Sequence, residues 1–221
     1  MDNLIEVSNI TYQYHKGRKV FEDFSVQFDC RESTVITGKN GSGKTTLTKL
    51  IMGILKPQSG NIFIFGKNTK DLSLGQTGEM IGYVLQYPER QIFAASVMEE
   101  LTFPLLFKGE KKEDILLKAE ELIQIFELEK VRESYPFFLS YGEKRRLAIA
   151  SVLMNNPRYL VLDEPTASLD KDRIRALSQV LNKLKGKNIG TLMITHDKNF
   201  IEAHGERIIQ LEGGQIIKDE K

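Results

Sequence analysis

The residues best suited to chemistry form one glycine-rich stretch in the first quarter of the chain. Residues 38–46 match the pattern G-x-x-x-x-G-K-[ST]. Glycines let consecutive backbone N–H groups surround an anion, and the lysine and hydroxyl residue that follow suit nucleotide phosphates and Mg²⁺. The predicted ligands are Gly38, Asn40, Gly41, Ser42, Gly43, Lys44, Thr45 and Thr46. Lys44 is expected to reach the β- and γ-phosphates and Thr45 to bind Mg²⁺; the alternative is a chance glycine-rich turn.

A second set of reactive side chains follows an apolar run. Residues 159–163 read YLVLD, and Glu164 comes next. Phosphoryl transfer needs a metal ion and an oriented nucleophile, so Asp163 is predicted to bind Mg²⁺ and Glu164 to orient or deprotonate water. Water as the acceptor predicts hydrolysis. The alternative is an exposed acidic turn before Pro165.

Strands and helices in alternation must position these groups. Residues 34–37 form a predicted strand before the glycine loop, and residues 46–55 a helix whose positive end faces the phosphates. Residues 61–65, 80–85, 159–163 and 190–195 are further predicted strands, and the last two are apolar enough to be buried on both faces. Residues 4–28, with a turn at 16–18, predict antiparallel strands. The expected fold is α/β, with a mostly parallel sheet flanked by helices.

The middle of the chain has a different pattern of apolar residues. Residues 112–130 place apolar side chains at helical spacing on one face, which predicts a helix-rich insertion. Residues 94–107 mix apolar side chains with Glu99 and Glu100. Two interpretations stay open for them: the core of a helical subdomain, or a groove that receives a partner's amphipathic helix.

Composition limits the class of protein. The chain has 221 residues, 41% of them hydrophobic, with 31 Lys+Arg against 30 Asp+Glu, so neither a basic nucleic-acid surface nor disorder is indicated. Cys30 is the single cysteine and is expected to be a buried, inert thiol. The N-terminus lacks the features of a signal peptide, and the sequence contains no apolar stretch of about 18 residues. A cytosolic protein is expected.

Residues 139–144, LSYGEK, complete a recognisable pattern. They resemble the LSGGQ signature of ATP-binding cassette (ABC) ATPases, about twenty residues before Asp163 and Glu164. Tyr141 stands where the family usually has glycine, and Glu143 where glutamine is common. By themselves these residues are equally typical of a helix cap. The resemblance covers residues 4–217 and implies a P-loop NTPase of the ABC type, with ATP and Mg²⁺ as cofactors.

The resemblance also implies roles for individual residues. Ser140 and Gly142 would offer donors to the γ-phosphate of a second cassette, and the loop that ends at Asp170 would cross the interface between the two. Gln86 would contact Mg²⁺ or the attacking water, and His196 the γ-phosphate. For three of these residues the sequence also allows a purely structural role: a helix cap for Asp170, a surface polar residue for Gln86 and a structural histidine for His196.

Adenine stacking is the remaining role that the resemblance implies. Tyr14 fits the stacking aromatic, with Tyr12 as the rival candidate on the same strand face. Both tyrosines are also compatible with ordinary core packing.

One chain holds one phosphate loop and one signature, so the resemblance implies a dimer, either of this chain or with a relative. It also implies a single domain, residues 1–221, in which a helical subdomain at about 87–158 interrupts a core of about 1–86 and 159–221. Residues 86–93, QYPERQIF, resemble the energy-coupling factor (ECF) subfamily of prokaryotic vitamin and metal-ion importers. Its ATPases bind a membrane scaffold and a substrate-binding membrane subunit at the cytoplasmic face of the membrane.

Three other functions remain open from the sequence. A soluble ABC ATPase acting on ribosomes or DNA is the main alternative, although such proteins usually fuse two cassettes or carry a coiled coil. A small-molecule kinase requires neither the signature nor Glu164. An inactive nucleotide-binding partner has only Tyr141 in its favour.

Overall fold

A computed structural model describes residues 4–15, 17 and 19–221, so positions 16 and 18 of the predicted turn lie outside the described residues. The strands found there are β1 Leu4–Gln13, β2 Lys19–Asp29, β3 Ser33–Thr37, β4 Ser59–Ile64, β5 Lys67–Asn68, β6 Ile81–Val84, β7 Tyr159–Asp163, β8 Thr191–Ile194, β9 Arg207–Glu212 and β10 Gln215–Glu220. The α-helices are α1 Lys44–Ile51, α2 Leu74–Met80, α3 Val97–Phe107, α4 Lys112–Ile125, α5 Tyr141–Met154, α6 Lys171–Gly186 and α7 Lys198–His204.

The strands form two sheets. The first has the order β2-β1-β4-β5, and its neighbouring strands are antiparallel. The second has the order β10-β9-β3-β8-β7-β6, in which β9, β3, β8, β7 and β6 run parallel and β10 is antiparallel to β9. The predicted α/β class, with an antiparallel N-terminal part and a mostly parallel sheet, is confirmed.

Burial on both faces explains the apolar runs of the central strands. All five residues of β7 are buried. Leu160 and Leu162 belong to one hydrophobic cluster, on the side of the helices α3 to α5, whereas Tyr159 and Val161 belong to a second cluster beneath the antiparallel sheet. Successive side chains of a strand point to opposite faces, so a strand between two cores is apolar throughout.

The helix-rich middle is confirmed, and α3 settles part of the question left open for residues 94–107. Val97, Leu101 and Leu105 are buried in the cluster shared with α4 and α5. Phe103 and Phe107 lie on the exposed side of the helix. One face of α3 therefore belongs to the core, and the described residues leave the opposite face exposed to solvent.

Two predicted helix ends are corrected, and one helix was missed. The helix after the glycine loop starts at Lys44 and ends at Ile51, not at residue 55, because Gly53 adopts a φ of 72° that stops it. Helix α4 ends at Ile125 rather than residue 130, and Glu127 beyond it has a φ of 50°. Helix α2 was not predicted, although Ser73 and Gln76 form a capping box at its start.

The expectation for the single cysteine is also met. Cys30 is buried, as predicted, and burial raises the pKa of its thiol to about 12, which disfavours the reactive thiolate. Within the described ranges, each helix is too short or too polar to cross a membrane.

Candidate nucleotide site

The glycine loop joins the buried strand β3 to helix α1. Gly38 has a φ of 138°, and a Cβ atom there would lie 2.2 Å from the carbonyl oxygen of Leu211. Only glycine fits that position without displacing backbone. Gly43, the N-cap of α1, also has a positive φ of 110°. The N–H groups at the start of α1 consequently face the loop, where an anion is stabilised.

Lys44 folds back over this loop. Its Nζ atom donates to the carbonyl oxygens of Gly38, at 2.5 Å, and Lys39, at 3.0 Å. Burial lowers the pKa of the ammonium group, and the nearby Glu164 and Asp163 oppose that effect. The bonds to the loop carbonyls can be exchanged for bonds to phosphate oxygens, which carry more charge.

A hydroxyl and a carboxylate meet beside Lys44. Thr45 Oγ1 donates to Asp163 Oδ2 at 3.0 Å, which joins the start of α1 to the end of β7. Burial raises the pKa of Asp163, whereas the hydrogen bond from Thr45 and the charges of Arg145 and Lys44 lower it. Hydroxyl and carboxylate oxygens are ligands that Mg²⁺ prefers, so this pair fits the ion.

Glu164 and His196 face each other at the ends of adjacent strands. His196 Nε2 lies 3.7 Å from Glu164 Oε1. Glu164 has a φ of 51°, and its backbone N–H donates to the Ile194 carbonyl at 2.8 Å, which holds the carboxylate at this edge of the sheet. Burial raises the pKa of Glu164, and His196 lowers it. A half-buried carboxylate beside a histidine can accept a proton from water.

The two tyrosine candidates separate. Tyr12 is 8% exposed and belongs to the core beneath the antiparallel sheet. Tyr14 is 43% exposed, and its hydroxyl lies 3.1 Å from Thr46 Oγ1. The ring of Tyr14, unlike that of Tyr12, is therefore free to stack on a planar ligand.

These groups surround one cavity of about 480 Å³. Its lining is Tyr14, Val20, Asn40, Gly41, Gly43, Lys44, Thr45, Thr46, Gln86, Asp163, Glu164, Ile194 and His196. Among the described residues, Gly38 and Ser42 are the predicted loop ligands outside that lining. Ser42 is buried, and its carbonyl accepts a hydrogen bond from the N–H of Gly214.

Ser140, Gly142 and Asp170 line a different cavity, of about 330 Å³. Ser140 caps α5 in a capping box with Glu143, and Asp170 caps α6 through the N–H groups of Asp172 and Arg173. The capping alternative is thus realised for both residues. The structure does not bring them to the phosphate cavity of their own chain.

Two arginines of α5 were missed by sequence reasoning. Arg145 is fully buried and donates to the carbonyl oxygens of Gln86, at 2.7 Å, and Asp163, at 3.1 Å. Arg146 is also buried and lines the second cavity. Their one signal in the sequence is a pair of charges directly before the apolar run LAIA, residues 147–150.

The fold and the glycine loop define a P-loop nucleotide-binding protein. The family model described as "ABC transporter" matches residues 21–167. A putative ABC transporter ATP-binding protein of Pyrococcus furiosus is 35% identical over 96% of this chain and 82% of its own length. The chain therefore belongs to the ABC transporter family, as an ATP-binding subunit, and this family hydrolyses ATP.

Solved structures agree with this assignment. The ATP-binding cassette MJ0796, in a dimeric post-hydrolysis state with ADP and Pi, has a TM-score of 0.88 and 30% identity, with 98% of each chain covered. CbiO1 of Clostridium perfringens, described as part of the ABC transporter complex cbiONQ, has a TM-score of 0.85 and 30% identity, with 100% of this chain and 89% of that chain covered. Other curated relatives are longer: the chain spans 38% of a Bacillus cereus ABC transporter ATP-binding protein, at 38% identity.

Proposed function

We propose that this chain hydrolyses ATP at a site shared by two cassettes and so powers an ECF-type importer of a vitamin or metal ion. The observation that carries the hydrolysis part is the convergence of Lys44, Thr45, Asp163 and Glu164 on one cavity. Phosphate, metal and water ligands occur there in the combination that ATP hydrolysis requires.

Each group has a chemical task in this proposal. Lys44 exchanges its loop carbonyls for phosphate oxygens, and the loop N–H groups hold the remaining oxygens. Thr45, Asp163 and Gln86 hold Mg²⁺, which neutralises phosphate charge when bound. Glu164 accepts the proton of the attacking water, and His196 contacts the γ-phosphate. Tyr14 stacks on adenine.

The separation of the two cavities supports a shared site. Ser140, Gly142 and Asp170 line a cavity other than that of their own phosphate loop. Arg146 and Arg173 line the same cavity as the carboxylates of Glu143 and Asp170, and Arg173 pairs with Asp170 at 2.8 Å. In this proposal the two guanidinium groups exchange such carboxylate contacts for phosphate oxygens. Ser140 exchanges its bond with Glu143 for one with the γ-phosphate of a second chain. MJ0796, which this chain resembles, is dimeric.

The transport part rests on the subfamily resemblance of residues 86–93 and on similarity to CbiO1, part of the cbiONQ complex. Phe93, the last residue of that segment, forms an exposed row with Phe103 and Phe107 of α3, in which the centroids of neighbouring rings are 5.9 and 6.1 Å apart. Exposed apolar rows of this kind fit a partner protein. We propose a membrane scaffold there, at the cytoplasmic face of a prokaryotic membrane, with a substrate-binding membrane subunit beside it.

Steady-state hydrolysis tests the catalytic part. Replacement Glu164→Gln should lower turnover by at least about 10²-fold, because it removes the base, and should preserve ATP affinity. Glu113→Gln, which changes an exposed carboxylate on α4, is the control. Unchanged turnover in Glu164→Gln would refute the assignment of the base.

Affinity purification from mildly solubilised native membranes tests the transport part. Co-elution of a polytopic scaffold and a substrate-binding membrane subunit is expected. Recovery in the soluble fraction alone, with ribosomal or DNA-associated proteins, would refute transport and leave the ATPase assignment standing.

A further inference from the structure

Tyr141, which stands where the signature usually has glycine, contacts Gln86, a residue of the phosphate cavity in the same chain. It is the first residue of α5, between Ser140 and Gly142. Its hydroxyl donates to the carbonyl oxygen of Gln86 at 2.9 Å. Gln86 lines the phosphate cavity, so this bond joins the signature directly to that cavity in the same chain.

Arg145, one helical turn later, strengthens the same contact. Its Nη2 atom donates to the Gln86 carbonyl at 2.7 Å and to the Tyr141 hydroxyl at 3.2 Å. The guanidinium carbon lies 5.6 Å from the centre of the Tyr141 ring. Three groups therefore form a closed set, in which Tyr141 accepts one hydrogen bond and donates another. Bonds of this kind orient a hydroxyl more firmly than a single contact does.

The ring of Tyr141 is directed to this set and not to the second cavity. The described residues that line that cavity include Ser140 and Gly142 but not Tyr141. Gly142, the next residue of the signature, packs against the loop that precedes α6: a Cβ atom on Gly142 would lie 3.4 Å from the Ser168 carbonyl oxygen. The Tyr141 side chain thus does not occupy the cavity at Ser140 and Gly142 where a phosphate would bind. Its hydrogen bond to Gln86 attaches the start of α5 to the phosphate cavity.

We propose that Tyr141 is a positioning residue, whose hydrogen bond to the Gln86 carbonyl fixes the start of α5 and with it Ser140 and Gly142. Glycine at this position has no group that can make this bond. The inference rests on the proposed shared site, because Ser140 and Gly142 matter for turnover only if they serve a second chain.

A mixed dimer of two complementary variants tests this role, because it contains a single intact site. One chain carries Lys44→Ala and keeps its signature; the other carries Gly142→Asp and keeps its phosphate loop. Each variant alone lacks an intact site, so hydrolysis by the mixture reports the signature of the first chain. Tyr141→Phe is then placed in either chain, which removes only the hydroxyl.

In the Lys44→Ala chain, Tyr141→Phe should lower the kcat of the mixture by about two- to ten-fold, the effect of one hydrogen bond, with the KM for ATP unchanged. The same change in the Gly142→Asp chain should lower kcat by less. Tyr135→Phe in the Lys44→Ala chain removes an exposed hydroxyl elsewhere in the helical region and is the control.

Equal losses for the two placements, no loss in either, or a larger loss in the Gly142→Asp chain would each overturn the positioning role. The last result would show that Tyr141 acts on Gln86 within its own site. If the starting mixture were inactive although the unmodified protein hydrolyses ATP, the shared site itself would be refuted, which is the failure of the proposed function.

Discussion

Glu164 experiences opposing electrostatic effects, of which burial and the neighbouring His196 are the two largest. Burial disfavours its charged form and raises its pKa, whereas His196, 3.7 Å away, favours the carboxylate and lowers it. The net shift is upward, so at acidic pH the protonated form persists above the ordinary pKa of glutamate, about 4.3. In the proposed mechanism only the carboxylate accepts a proton from water.

This balance predicts the pH dependence of hydrolysis. Turnover should fall as the pH decreases through the raised pKa of Glu164, because protonation removes the base. His196→Ala removes an effect that lowers this pKa, so the acid limb of its residual activity should move to higher pH, measured as a pH profile of kcat. Turnover itself should fall by about 10²-fold through the lost contact with phosphate.

His204→Asn is the control for that profile. His204 lies on α7 and contacts Ser178, outside the lining of the phosphate cavity, so its replacement should leave the acid limb in place. An acid limb that stays fixed or moves to lower pH in His196→Ala would contradict the electrostatic coupling of the two residues.

At the residue scale, the sequence predicted which residues form the site better than it predicted the contacts of their side chains. The glycine pattern and the strand-end acids predicted most of the residues that line the cavity, because spacing in sequence determines which groups meet at one edge of a parallel sheet. Gly38 and Ser42 were predicted as well but lie outside that lining. Sequence did not predict that Lys44 binds its own loop carbonyls, or that Tyr141 turns toward Gln86. The Lys44 contact depends on how the glycine loop folds back on itself, and the Tyr141 contact joins residues whose relative positions are set by packing of separate elements.

Arg145 links three elements that the sequence alone does not bring together. Its guanidinium, on α5, donates to the main chain after β6 and at the end of β7. A charge placed this deep is tolerated because carbonyl oxygens surround it. The sequence predicted a helix-rich middle region but gave no reason to bury an arginine.

Removing this link should cost stability. Arg145→Ala removes a donor from the buried Asp163 carbonyl and empties the space of a fully buried side chain, so it should lower the free energy of unfolding by about 2–4 kcal/mol, measured by urea denaturation. Arg175→Ala, at an exposed position on α6 that pairs with Asp172, should change it by no more than about 0.5 kcal/mol. Equal effects of the two replacements would contradict the structural role of Arg145.

Element boundaries were harder to predict than element types. The predicted strand at residues 159–163 matches β7, because burial on both faces produces an unbroken apolar run. The helix after the glycine loop was predicted too long, because sequence does not reveal that Gly53 adopts a left-handed conformation. The division into a core and a helical subdomain at about 87–158 stays a prediction.

At the scale of the whole molecule, the predicted site residues line two separate cavities. The phosphate cavity holds the loop, the acids and His196, whereas the second cavity holds the signature and Arg146. In our account, ATP completes both sites by joining two chains, and hydrolysis separates them. Binding energy that differs between the joined and separate states is what converts hydrolysis into movement.

The most direct test of this account is the mass of the Glu164→Gln variant in solution, measured by light scattering during gel filtration with Mg²⁺ and either ATP or ADP. Because this variant should bind ATP without hydrolysing it, we expect a dimer with ATP and a monomer with ADP. Lys44→Ala in the same background should abolish the dimer. A monomer with saturating ATP, or a dimer that ignores the nucleotide, would contradict a site completed by ATP between two chains.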